Sequence, residues 1–216
     1  GLILSYANTF LNMITGLFLS SFLLRQLGDT EYGVYQTVAS FANYLVLLEF
    51  GTGTVMARNL SVCRSNGDTK LQIEKNISTI WSITNILAVL IAAVSLVFYI
   101  SFDTIYASSL TPEQISLGKN IFIFITVYLL ASFYIQTLNG VMLAHEDYTY
   151  ASATSIVRII ARTLILTVLL LNWKHGIIIA IVDACLGVSL ALFGYTYAVR
   201  KFKIRIDFRN FDKLIL

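Results

Sequence analysis

The chain has 216 residues, of which 57% are hydrophobic and only 12% charged. A soluble domain carries roughly 25% charged residues, so the polar surface that would keep a globule of this size in water is missing. The excess of basic over acidic residues is only +3, and its placement along the chain, described below, accounts for it by membrane topology and leaves no argument for nucleic-acid binding. A β-barrel is excluded by pattern, because its segments alternate apolar and polar over about ten residues. The mean hydropathy of +0.76 and one proline, Pro112, predict an integral membrane protein of long helices.

Taken in chain order, apolar runs cover residues 2–24, 33–56, 77–100, 120–143, 151–171 and 176–199. Each is long enough to cross a ~30 Å hydrocarbon core at 1.5 Å per residue. The first is too long for the core of a signal peptide and lacks a cleavage pattern, so it is read as a true span. The expected fold is therefore all-α: a six-transmembrane-helix bundle over residues 1–199, followed by a basic linker over residues 200–216. SNGD at residues 65–68 marks a turn after the second span. KFKIRIDF at residues 201–208 alternates basic and apolar residues, as a segment lying on an anionic membrane surface does.

Orientation follows from lysine and arginine. Arg58, Arg64, Lys70, Lys75, Arg158, Arg162, Arg200, Lys201, Lys203, Arg205, Arg209 and Lys213 fall toward one side, and only Arg25, Lys119 and Lys174 toward the other. The basic side is expected in the cytoplasm, which puts the N-terminus and the tail inside. Cys63 and Cys185 show no paired or metal-binding spacing, and no cofactor or metal site is expected.

Hydrocarbon cannot satisfy polar side chains, so those within a span must face protein or water. Ser5, Asn8, Asn12 and Thr15 fall on one helical face of the first span, and Gln36, Ser40 and Asn43 on one face of the second. Ser132, Gln136 and Asn139 repeat the pattern in the fourth; Ser155, Arg158 and Arg162 share a face in the fifth. Residues 86–100 of the third are aliphatic and predict a peripheral helix. A single polar stripe favours hydrogen-bonding glue between helices over a cavity wall. Four on four helices favour a water-filled cavity.

The charges can be paired by depth. Arg162 and Asp183 both lie about 13–15 Å from the end opposite the basic side, and Glu49 and Arg158 both about 20–25 Å. Ion pairing, snorkelling of Arg158 to the headgroups, and bidentate capture of an anion are the competing roles for these arginines. Glu49 and Asp183 are the candidates for an ion pair or for ion coupling.

The stretch SYANTFLNMITGLFLSSFLLRQLGDTEYGVYQ at residues 5–36 resembles the start of the Wzx-type oligosaccharide flippases, relatives of the MATE drug exporters and lipid II flippases. LLEFGTGTVMARNLS at residues 47–61 and LNGVMLAHEDYTYAS at residues 138–152 resemble that family's second-span exit and its turn between spans four and five. The resemblance implies a two-lobed transporter of twelve or more helices, of which this chain is the N-terminal lobe and a fragment. It implies a flippase that moves polyprenyl-pyrophosphate-linked oligosaccharide, such as O-antigen, capsule or exopolysaccharide repeat units, across the bacterial plasma membrane. In that reading Arg25, Arg158 and Arg162 attract the pyrophosphate or acidic sugars. Asn8, Asn12, Gln36, Asn43 and Gln136 bind sugar hydroxyls. Membrane lipids and the polysaccharide polymerase machinery are the implied partners.

Two rivals stand beside it. A MATE-type antiporter of small organic cations would place carboxylates and aromatics in the cavity, whereas here buried arginines and carboxylates balance. A membrane enzyme of polysaccharide assembly would need a base or metal site at the membrane face, whereas His145 and His175 are expected on opposite sides.

Overall fold

The computed structural model describes residues 2–47 and 51–202 as helices joined by short turns, with no strand among the described residues. The helices are α1 (Leu2–Val46), α2 (Thr52–Ser65), α3 (Lys70–Tyr106), α4 (Pro112–Ala144), α5 (Tyr148–Asn172) and α6 (Ile177–Phe202). Five of them are long and apolar enough to cross a membrane. Glu49, residues 203–216 and the side chain of Ser5 lie outside the described residues.

Helix α1 is two arms, not one rod. Gly28 interrupts it at φ 73°, ψ 172°, a conformation open to glycine because it has no Cβ to clash. Leu19 and Leu23 of the first arm cluster with Tyr32 and Tyr35 of the second, so the chain doubles back at Gly28. This is the turn expected between the first two spans. The second span differs from its expectation of one run over residues 33–56. Its helix ends at Val46, and α2 starts at Thr52 after Gly51, which is left-handed at φ 65°. LEFGTG hides this break from a hydropathy reading, because Leu, Phe and Gly keep the average apolar while Gly51 releases the backbone.

Capping sets the other ends. Thr69 and Thr111 each form a capping box with the glutamine three residues on, Gln72 and Gln114. Pro112 then occupies the first turn of α4, where no N–H is needed. The SNGD turn holds Gly67 at φ 70°, between the end of α2 and Thr69.

Helix α4 is the centre of the bundle and packs against α1, α2, α3, α5 and α6. It buries Ile121, Phe122, Leu129, Phe133, Leu138 and Met142 around its circumference, as a helix with neighbours on every side requires. Its closest approach is to α2. A Cβ on Gly53 would stand 2.5 Å from the Gln136 carbonyl oxygen, and one on Gly140 would lie closer still to the Gly53 carbonyl oxygen. Two glycines thus bring two backbones together, in the manner of small-residue contacts in membranes. Beside them Thr52, Thr84 and Thr137 join α2, α3 and α4 by buried hydroxyl contacts of 3.0 and 3.3 Å. Farther along, α3 turns Ile86, Val89, Leu96, Val97 and Ile100 outward, the peripheral face expected of a lipid-facing helix.

Each end of the bundle carries a polar tie. At the end opposite the basic side, Glu31 Oε2 accepts from the Gly176 N–H at 2.6 Å and so joins the second arm of α1 to the entry of α6. At the basic end, Asp147 accepts from Lys201 Nζ at 2.7 Å, Tyr197 Oη at 2.9 Å and Thr149 Oγ1 at 3.2 Å. Burial pushes the Asp147 carboxyl up, but these donors outweigh it and hold it below the ordinary value of 3.8. Nearby His145 is held below its ordinary 6.5 by burial, against the opposing hydrogen bond to the Val141 carbonyl.

Two outcomes follow for stability. Gly53→Ala and Gly140→Ala are each expected to destabilise by at least about 1–3 kcal/mol, because backbone cannot move aside as a side chain can. Gly16→Ala, whose added Cβ meets nothing within 4 Å, is expected to be neutral or mildly stabilising. Thermal melting of the detergent-solubilised protein separates them.

The pH profile has a fixed sign. A group with a depressed folded pKa binds fewer protons in the folded state, so its contribution is full above the unfolded value and is lost on acidification. Stability is expected to begin falling below 6.5 through His145 and to fall again below 3.8 through Asp147, toward their lower folded values. His145→Gln abolishes the first phase and Asp147→Asn the second in melts across pH.

Candidate functional site

Both arms of α1 and the inner faces of α4, α5 and α6 enclose a polar cavity of about 450 Å³. Asn12 and Thr15 come from the first arm, and Tyr35, Gln36 and Asn43 from the second. Tyr128 comes from α4, Ser155, Arg158 and Arg162 from α5, and Asp183 from α6. The helical spacing of each stripe is what brings these side chains to one side. Lipid on the outside leaves that side as the place where they can be solvated.

The strongest interaction in the wall is between α5 and α6. Arg162 donates from Nε to Asp183 Oδ1 at 2.5 Å and from Nη2 to Asp183 Oδ2 at 2.9 Å. This fork-to-fork geometry engages both carboxylate oxygens. The side chain of Asp183 is 12% exposed and that of Arg162 28%, so the pair is largely sheltered while both residues still line the cavity. The depth match between the two residues is realised as an ion pair.

Arg158, one turn away, is placed differently. It donates to the Tyr128 hydroxyl, and its guanidinium carbon lies 4.9 Å from the centroid of the Tyr128 ring. No carboxylate stands within ion-pair distance of it among the described residues. Arg158 is therefore a half-buried cation whose described partners are a tyrosine and the cavity.

A second polar cavity, of about 250 Å³, lies between α4, α5 and α6. Tyr128, Ser155 and Arg158 line both cavities, and Gln136 and Asn139 line only the second.

The remaining candidates separate. Asn12, Gln36 and Asn43 line the first cavity. Asn8 is bound within the protein: its Oδ1 accepts from Ser155 Oγ at 2.9 Å and from Asn12 Nδ2 at 3.1 Å. Arg25 is exposed and belongs to the lining of neither cavity. Glu49 lies outside the described residues, so the pairing expected with Arg158 has no described counterpart. Among the described residues no group of three His, Cys, Asp or Glu side chains is placed to hold a metal ion.

Sequence reading passed over the tyrosines. Tyr32 accepts from Gln36 Nε2 at 2.7 Å, and Tyr32, Tyr35 and Tyr128 all line the first cavity. A signal was present. Tyr32 precedes Gln36 by one turn, and Tyr128 precedes Ser132 by one turn, so both extend polar stripes. Tyrosine counts as hydrophobic in composition, yet it presents a polar tip on an apolar body.

The ion pair yields a direct test. Asp183→Asn leaves Arg162 buried without its counter-charge and is expected to destabilise by about 3–5 kcal/mol. Replacing both residues by apolar ones of similar volume is expected to recover most of that loss. Thermal melts of the single and double variants decide this, and equal losses in the two would remove the ion pair as the cause.

Comparison with curated proteins and with solved structures finds no match. The family model described as polysaccharide biosynthesis protein matches residues 1–216. Its members are polysaccharide flippases of the Wzx type, transporters rather than enzymes in general. A helical membrane bundle around a polar cavity agrees with that class, and the chain belongs to the polysaccharide biosynthesis protein family.

Proposed function

We propose that this chain is the N-terminal lobe of a flippase that carries polyprenyl-pyrophosphate-linked oligosaccharide across the bacterial plasma membrane. The observation that supports this best is Arg158, a guanidinium with no described carboxylate partner on the wall of a polar intramembrane cavity. A cation held there at an energetic cost suits an anionic group that enters and leaves. The planar guanidinium fork matches phosphate oxygens.

The other residues divide by their partners. Arg162 is neutralised by Asp183, so it shapes the wall and gives its remaining donors to the substrate. Asn12, Gln36 and Asn43 offer amide donors and acceptors to sugar hydroxyls, in exchangeable bonds that suit release. Asn8 and Ser155 hold the first arm against α5. Asp183 has both oxygens engaged, which favours a structural role over ion coupling and weighs against a cation antiporter. Glu49 is retained as the candidate for coupling. Arg25 serves at the membrane interface opposite the basic end, where it would meet the pyrophosphate as it leaves the cavity. In this reading the basic end faces the cytoplasm, two lobes rock about the cavity in alternating access, and the polysaccharide polymerase machinery receives the product.

The test is export in cells that depend on this protein. Arg158→Gln is expected to lower surface polysaccharide by about 10- to 100-fold, the range for losing a hydrogen-bonded ionic contact. Arg158→Lys, which keeps the charge and loses the fork, falls between. Membrane protein levels stay at the wild-type value in both. Normal export by Arg158→Gln would end the proposal.

A further inference from the structure

We infer that the second cavity, between α4, α5 and α6, is a subsite for the sugar attached directly to the pyrophosphate. This rests on the flippase reading and extends it.

The cavity is built around two tyrosines seated on α6. A Cβ on Gly187 would stand 2.8 Å from Tyr128 Cδ2, and one on Gly194 would stand 2.9 Å from the Tyr150 hydroxyl oxygen. The two glycines are seven residues apart, two turns along one face, or about 10 Å. Leu190 lies between them in the lining. Tyr150 is held further by its ring contact with Tyr197, 4.6 Å between centroids. The aromatic frame is thus set by backbone and packing before any ligand arrives.

The chemistry of the lining is that of a carbohydrate site. Gln136 and Asn139 share one long contact of 3.5 Å, which leaves most of their amide donors and acceptors for a ligand. A sugar hydroxyl both donates and accepts, as an amide does. Tyrosine rings offer apolar faces to the C–H faces of a sugar ring. Among the described residues the lining contains no carboxylate, so neutral and acidic sugars both fit, while organic cations have no counter-charge there and would face Arg158. The volume of about 250 Å³ lies just below the ~300–1,000 Å³ of pockets for drug-sized ligands, room for one ring and not for a chain of them.

Position supplies the order of the groups. Arg158 lines both cavities, so a phosphate held there stands at their junction. The sugar bonded to that phosphate then reaches Gln136 and Asn139, the later sugars turn back past Arg158 toward the larger cavity, and the polyprenyl chain stays in the lipid.

The experiment measures binding to the full protein in lipid nanodiscs with two probes: bare polyprenyl pyrophosphate, and the same lipid carrying the host's own sugar repeat. Arg158→Gln is expected to weaken both probes. The double variant Gln136→Ala/Asn139→Ala is expected to weaken the sugar-bearing lipid about tenfold through lost hydrogen bonds, leaving the bare lipid within about twofold. Ala151→Leu, which fills the same cavity without removing a polar group, is expected to do likewise. If Arg158→Gln weakens both probes while the other two variants lower neither or lower both alike, the sugar subsite is wrong and the anion site stands. If Arg158→Gln changes neither probe, the flippase reading itself falls. Unchanged melting of the variants keeps folding out of the comparison.

Discussion

Two opposite charges placed in hydrocarbon must find each other or water, and the Arg162–Asp183 pair is how this bundle meets that constraint. An unpaired charge at the centre of a membrane costs at least about 2.5–3.5 kcal/mol. The bidentate contact removes that burden and fixes α5 against α6 in register. Around it, Leu166, Leu170, Ile179 and Val182 pack with Leu19 and Leu23, so the first arm of α1 is set by the same junction. The position of Arg158, one turn along α5, follows from this register. Among the described residues its partner is a tyrosine, which shares a hydrogen bond without cancelling the charge. Neighbouring arginines on one helix thereby take two roles, one neutralised and one available.

Close backbone packing stands beside the polar interior. Gly53 and Gly140 let α2 and α4 meet at backbone distance, and the threonines beside them satisfy one another. The α2 contact and the cavities use neighbouring faces of α4: Gln136 meets Gly53 through its backbone and lines the second cavity with its side chain. Gly187 and Gly194 act differently: they admit tyrosine rings, not another backbone. The same residue type seats backbone on backbone at one contact and a tyrosine on backbone at another.

The two readings of polar stripes, glue and cavity wall, apply to different residues of the same stripe. Asn8 is tied to Ser155 and Asn12, whereas Asn12 also reaches the cavity. Gln36 meets Tyr32 and still lines the wall. A side chain with four hydrogen-bonding positions can hold its helix and face water together. Polar residues in membrane bundles therefore need not be sorted into one class or the other.

Much of the fold was legible from residues alone. Apolar length predicts the crossings, stripe spacing predicts which faces turn inward, and depth brings Arg162 to Asp183, since a rise of 1.5 Å per residue converts position into height. Other features belong to the tertiary structure. The break at Gly51 is hidden because hydropathy averages over the very residues that bend. The cavity tyrosines are hidden because their ring and their hydroxyl pull the same letter in two directions. Separating Arg158 from Arg162, and the first cavity from the second, needed rotation about the helix axes and the choice of neighbours. Sequence spacing gives height and face within one helix; only packing against α4 and α6 decides which faces meet.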